Sequence, residues 1–133
     1  MKVLNFSCHR PSPDQIQAGV VEMGVREQKL LRSLSSYYGD SKPNDEDTMR
    51  RVKALAELAI NECHAFGADT ILLHTALWIA VPLVDYLDSK GIDTVYAFST
   101  RHHEEQRLPS GELRVTKLHR HSCFANTVFV ANN

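Results

Sequence analysis

Cysteine is scarce here: Cys8, Cys63 and Cys123 are odd in number and widely scattered. They do not form a disulfide framework, and they point to a reducing compartment, with the cytoplasm as the expected location. No Gly-x-Gly-x-x-Gly run occurs among the six glycines, so a phosphate-cradling glycine loop is excluded. Net charge is nearly absent at -1, which argues against non-specific binding to long nucleic acid, because that requires a broad basic surface. Long apolar runs are missing too. The longest, Ala76 to Val84, is interrupted by Pro82 and is far too short for a bilayer, so no membrane partner is expected. Met1 to Phe6 reads as a strand rather than a signal peptide. Neither internal repeats nor low-complexity tracts occur.

What is present is a chain of 133 residues, 43% hydrophobic and 23% charged. That is enough for one domain spanning 1–133, with a core that needs neither metal nor disulfide. Val3 to Phe6 reads as a buried strand. Ser12, Pro13 and Gln15 form a capping-box helix start, and Gly19 is its expected end. Leu30, Leu31 and Leu34 mark a helix over Val25 to Tyr38, with Gly39 as its stop. After a loop from Asp40, Asn44 caps the longest helix, and Asp45, Glu46 and Asp47 suit its positive end. Its predicted core stripe is Met49, Val52, Leu55, Ala56, Ala59, Ile60 and Cys63, and Gly67 terminates it.

Strand Thr70 to Leu73, a helix ending near Lys90, and strand Thr94 to Phe98 then make a βαβ unit with parallel strands, and the first strand joins the same sheet. Between them, His74 to Val81 has two readings. Either a helix starts at Thr75 and contains Pro82, or a loop runs to a helix whose first residue is Pro82. Both leave a helix start, with its free N–H groups, near a strand end. The result is a small α/β domain with a short, mostly parallel sheet, flanking helices and a C-terminal β-hairpin arm over about 99–121.

The arm is the least core-like part. Residues Arg101 to His121 hold five of the 15 Lys and Arg, four of the seven His and only three acids. Pro109-Ser110-Gly111 fits a three-residue hairpin turn, which sets Arg101 opposite His119. The tail from Phe124 to Val130 is read as an edge strand. An arm with no apolar face to bury suits a ligand or a second chain, so a homo-oligomer, at least a dimer, is expected.

Ligands of open α/β sheets bind beyond the carboxyl ends of the parallel strands. Three segments leave those ends: Ser7, Cys8, His9 and Arg10; then His74 and Thr75; then Ser99, Thr100 and Arg101. Trp78, the single Trp, is read first as a core residue, with stacking on a base as its functional alternative, and Phe98 is a second aromatic group that can stack a base. Arg101 and Arg114 can grip phosphate oxygens in a fork geometry. Two other chemistries stay open: zinc on His119, His121 and Cys123, which share one strand face, and a Cys8 nucleophile beside His9.

Leu4-Asn5-Phe6-Ser7-x-His9, followed by Pro13-x-Gln15-Ile16-x-Ala18-Gly19-Val20, resembles small phage and prophage proteins. So does Gly91-Ile92-x-x-Val95-Tyr96-Ala97-Phe98-Ser99-x-Arg101 with its basic strand ending near His119. The set is similar to the Thoeris anti-defence proteins, which sequester cyclised ADP-ribose signals between protomers. It also resembles the small CRISPR-associated ring nucleases, which bind cyclic oligoadenylates in a CARF-like, Rossmann-like fold. The resemblance covers both ends of the chain and most of the βαβ unit, but not the helices from Val25 to Phe66.

Both resemblances imply one ligand class, a cyclic adenine-nucleotide second messenger. The expected site is Ser7, His9, His74, Thr75, Trp78, Phe98, Ser99, Arg101, Arg114, Thr116 and His119, with no cofactor and no metal. Sequestration without catalysis is the leading expectation. The alternatives are a metal-independent ring nuclease using His9, His74 or His119 as acid or base, and a small metal- or partner-binding domain.

Overall fold

The computed structural model describes residues 2–37, 39, 43–107 and 113–126, and for 97–107 and 113–126 it describes the backbone. In chain order the elements are β1 (Val3–Ser7), α1 (Pro13–Gln17), β2 (Val20–Val21), α2 (Val25–Ser35), α3 (Asp45–Phe66), β3 (Thr70–His74), α4 (Leu77–Ser89), β4 (Asp93–Arg107) and β5 (Leu113–Asn126). The sheet order is β2-β1-β3-β4-β5. The first four strands are parallel, and β5 runs antiparallel to β4. This is a small Rossmann-like α/β fold.

Alternation along the strands divides the core. Leu4, Phe6, Ile71 and Leu73 point to one face, where Leu31, Val52, Leu55, Ala59, Leu83 and Leu87 from α2, α3 and α4 close over them. Val3, Leu72 and Val95 point to the other face and cluster with Val20. On that side α1 lies against β2 and β5.

Local signals account for several boundaries. Ser12 Oγ accepts from the Gln15 N–H at 3.2 Å, and the Gln15 side chain accepts from the Ser12 N–H at 3.0 Å, completing the capping box of α1. Asn44 Oδ1 accepts from the Asp47 N–H at 2.8 Å and starts α3. Gly67, at φ +67°, ends α3 in the left-handed conformation that an L side chain resists.

Three expectations are corrected, and one open choice is decided. Helix α2 ends at Ser35, not Tyr38, and Gly39 is not its stop. The Arg51 Nη1 atom donates to Leu34 O at 2.9 Å and Ser36 O at 2.8 Å, so a side chain from α3 gathers the free carbonyls of the α2 end. Met49, expected in the core stripe of α3, lies outside the core at 42% exposure, while Thr48 and Leu58 are buried. The strand expected over Thr94 to Phe98, β4, does not end near Phe98. It runs to Arg107, so Ser99, Thr100 and Arg101 lie within a strand instead of leaving one. Of the two readings of His74 to Val81, the helix that contains Pro82 is the one formed, starting at Leu77 instead of Thr75, and Pro82 leaves the Trp78 carbonyl without its usual N–H donor.

The arm follows from pairing lengths. Strand β3 accompanies β4 only from Asp93 to Val95, whereas β5 accompanies it from Val95 to Arg107. Beyond Val95, β4 and β5 therefore form a two-stranded ribbon, with Arg101 opposite His119 and a register shift at Phe98–Ser99. The expected edge strand is the end of this same β5, reaching Asn126. The Pro109-Ser110-Gly111 turn and Thr127 to Val130 lie outside the described residues.

Candidate functional site

The chain leaves β1 toward β2 on one side, and later builds β3 and β4 on the other. The order reversal lies between β1 and β3, the place where open α/β sheets leave a crevice at the strand ends. Ser7 and His74 are register partners there.

Asn5, two residues earlier on the same face as Ser7, organises the exit. It is 6% exposed, and its Nδ2 donates to the His9 carbonyl at 2.9 Å. Ser7 Oγ donates to Asn5 Oδ1 at 2.8 Å, and the His9 N–H reaches Ser7 Oγ at 3.3 Å. These bonds fold the chain back after β1, and His9 comes to rest on His74 with ring centroids 4.9 Å apart and planes at 65°. Two imidazoles, a hydroxyl and a carboxamide thus converge from two strands. Beside them the Thr75 hydroxyl is buried and has no hydrogen-bond partner.

Two clefts flank the segment from Ser7 to Arg10. One, of about 210 Å³, is lined by Ser7, His9, Arg10, Gln15, Leu72, Leu73, His74 and Tyr96. Its leucine walls and single tyrosine suit a flat ring, and its rim supplies imidazole and guanidinium groups. The other, of about 180 Å³, is polar and lies among Asn5, Cys8, Glu22, Gln28 and Arg32. Ligand pockets for drug-sized molecules span roughly 300–1,000 Å³. Each cleft alone therefore holds about one base or one phosphate-bearing unit.

Of the expected site residues, Ser7, His9 and His74 come together, and Thr75 follows directly. Trp78 is half-buried against the core, meets Tyr37 edge-on at 6.4 Å and lines neither of these clefts. Phe98, Ser99, Arg101, Arg114, Thr116 and His119 lie on the ribbon, where Arg114 pairs with Gln106, Thr116 with Glu104 and Ser99 with His121. Their side chains lie outside the described residues, as do those of the suggested zinc group His119, His121 and Cys123. Among the described residues no three His, Cys, Asp or Glu side chains gather as metal ligands. Cys8 Sγ sits 4.0 Å from Ser35 Oγ while the His9 ring stands on His74, which is not a thiol–imidazole pairing.

Asn5, Gln15 and Tyr96 were not expected in the site. Asn5 carried a readable signal, a polar residue in the middle of an apolar strand, two positions before Ser7. Arg10 was legible only as part of a polar strand exit. Among the described residues no helix is long and apolar enough to cross a membrane.

The family described as "Uncharacterized protein MJ1673 family" matches residues 1–125. No curated protein and no solved structure matches the chain.

Proposed function

The chain belongs to the MJ1673 family, and for it we propose binding and sequestration of a cyclic adenine-nucleotide signal at the β1–β3 crevice. One observation carries this reading: His9, His74, Ser7 and Arg10 converge on a leucine- and tyrosine-lined cleft at the order reversal of the sheet. An adenine fits the apolar walls, while Arg10 and the imidazoles offer donors for phosphate and ribose. The cleft is too small for a whole ring. Tyr96 both lines it and begins the ribbon, so the rest of a cyclic ligand extends along the arm that carries Arg101 and Arg114. This is the ligand class that the resemblance to Thoeris anti-defence proteins implies.

Cleavage is the second reading, favoured by the His9–His74 contact. One imidazole can take the proton of a ribose 2′-hydroxyl as its oxygen attacks the adjacent 3′-phosphate. The other can protonate the departing 5′-oxygen, leaving a 2′,3′-cyclic phosphate as in a ring nuclease. Titration calorimetry with a cyclic oligoadenylate and with a cyclised ADP-ribose, with and without EDTA, tests the shared premise. Binding to at least one, unchanged by EDTA, is expected, because guanidinium and hydroxyl groups hold phosphates without a metal. Heat from neither ligand would overturn both readings.

A further inference from the structure

Helix α4 leaves an apolar stripe uncovered. Leu77 is 80% exposed and Val81 is 65% exposed, one helical turn apart. The stripe continues through Asp85, also exposed, to Asp88. Its other end is electrically opposite. Ala76 offers no side-chain cap, and the first turn of α4 holds no acidic residue, so the N–H groups there present partial positive charge that nothing on their own helix offsets.

One stripe thus runs from a positive end at Leu77, through apolar Val81, to a negative end at Asp85 and Asp88. Such an arrangement is complementary to itself when reversed. With a rise of about 1.5 Å per residue, Leu77 and Asp85 sit roughly 6 Å on either side of Val81. Two copies of α4 laid antiparallel about a two-fold axis at Val81 bring each Asp85 carboxylate over the other's first turn. Val81 then packs on Val81 of the second copy at the axis, with Leu77 of each copy flanking the pair, at the usual interaxial spacing of roughly 8–10 Å. We propose that this face of α4 is the interface between two copies of this chain.

A second copy is favoured over an unrelated partner because the charge pattern needs nothing from outside the helix. A lone two-fold axis also gives an isologous contact that closes, with no tendency to extend into filaments. Leu77, Val81 and Asp85 line neither cleft at the crevice between β1 and β3, although the start of α4 lies just beyond Thr75. The free helix start, a general anion acceptor, is thereby assigned to a carboxylate of the second copy.

Light scattering on the full chain over a range of concentrations tests it. Wild type is expected to approach twice the 15.0 kDa chain mass. Val81→Glu, at an exposed helical position, is expected to be monomeric with an unchanged circular dichroism spectrum. Asp85→Lys is expected to weaken association several-fold, and more so at low salt, where the helix-end attraction is least screened. A wild type that stays monomeric would overturn the proposal. So would a dimer that persists in Val81→Glu, which would move the interface to the β4–β5 ribbon. Sedimentation of a monomeric wild type with phosphatidylcholine vesicles would assign the stripe to a lipid surface instead.

Discussion

His9 and His74 leave two different strands and meet edge to face, 4.9 Å apart at their ring centroids. Nothing in their sequence separation brings this about. Ser7 and His74 are register partners in a parallel pair, and the Asn5 carboxamide holds the His9 carbonyl, which folds the exit of β1 over β3. Both rings remain exposed, so their contact shapes a surface rather than a core.

His74→Ala is accordingly expected to leave the melting temperature close to wild type and to weaken nucleotide binding. Loss of a hydrogen bond to a charged phosphate costs roughly 1.5–3 kcal/mol, about ten- to 150-fold in affinity. Calorimetric titration of the variant gives the answer, and wild-type affinity would remove His74 from the site.

Asn5→Leu is expected to act on stability as well. The buried carboxamide gives one hydrogen bond and accepts another, and a leucine leaves the His9 carbonyl and the Ser7 hydroxyl without it. The cost is about 1–3 kcal/mol, read from urea unfolding. A neutral result would show that water replaces the amide without loss.

How much of this was readable from the chain depends on how local each cause is. The Ser12 capping box, the Asn44 cap and the Gly67 stop act within one turn of helix, and each stands where the sequence put it. The Arg101–His119 pairing was legible from the turn chemistry of Pro109-Ser110-Gly111. Non-local causes were hidden. The end of α2 depends on an arginine from α3, and no signal between Ser36 and Gly39 announces it. Strand β2 is two residues long and exists because Val20 and Val21 pair with β1. Met49 has helical spacing with the core stripe, yet stays 42% exposed. The site was half legible: the polar strand exits named Ser7, His9 and His74, but Tyr96 and Gln15 enter only through the folding of β4 and α1 around the cleft.

Arg51 makes a pH-dependent prediction possible. It bonds the end of α2 and also donates from Nε to Asp47 Oδ2 at 2.9 Å. Arg51→Ala is expected to cost roughly 1.5–3 kcal/mol, with Arg51→Lys recovering part of it. Hydrogen bonds from Arg50 and then Arg51 hold the Asp47 carboxyl below the usual carboxylate range. A depressed folded value means a contribution that is complete above the unfolded value and is lost as pH falls through the folded one. Asp47→Asn should therefore flatten the decline of stability at acid pH in a urea–pH series. An unchanged acid limb would contradict the assignment.

The thiols should separate by reactivity. Burial, with Asp69 and Glu62 nearby, pushes the Cys63 thiol up to about 11, whereas Cys8 is exposed. Alkylation of the native protein, followed by peptide mass analysis, is expected to label Cys8 well before Cys63, with Cys63 reacting only on unfolding. Equal rates would mean that α3 opens readily.

Incubating the protein with a cyclic oligoadenylate or a cyclised ADP-ribose, removing free ligand, heating to release what is bound and analysing it by mass tests sequestration most directly. The account predicts intact cyclic ligand, released in proportion to protein. Linear or shortened product would contradict sequestration and assign the His9–His74 pair to cleavage, and release of nothing would contradict nucleotide binding altogether.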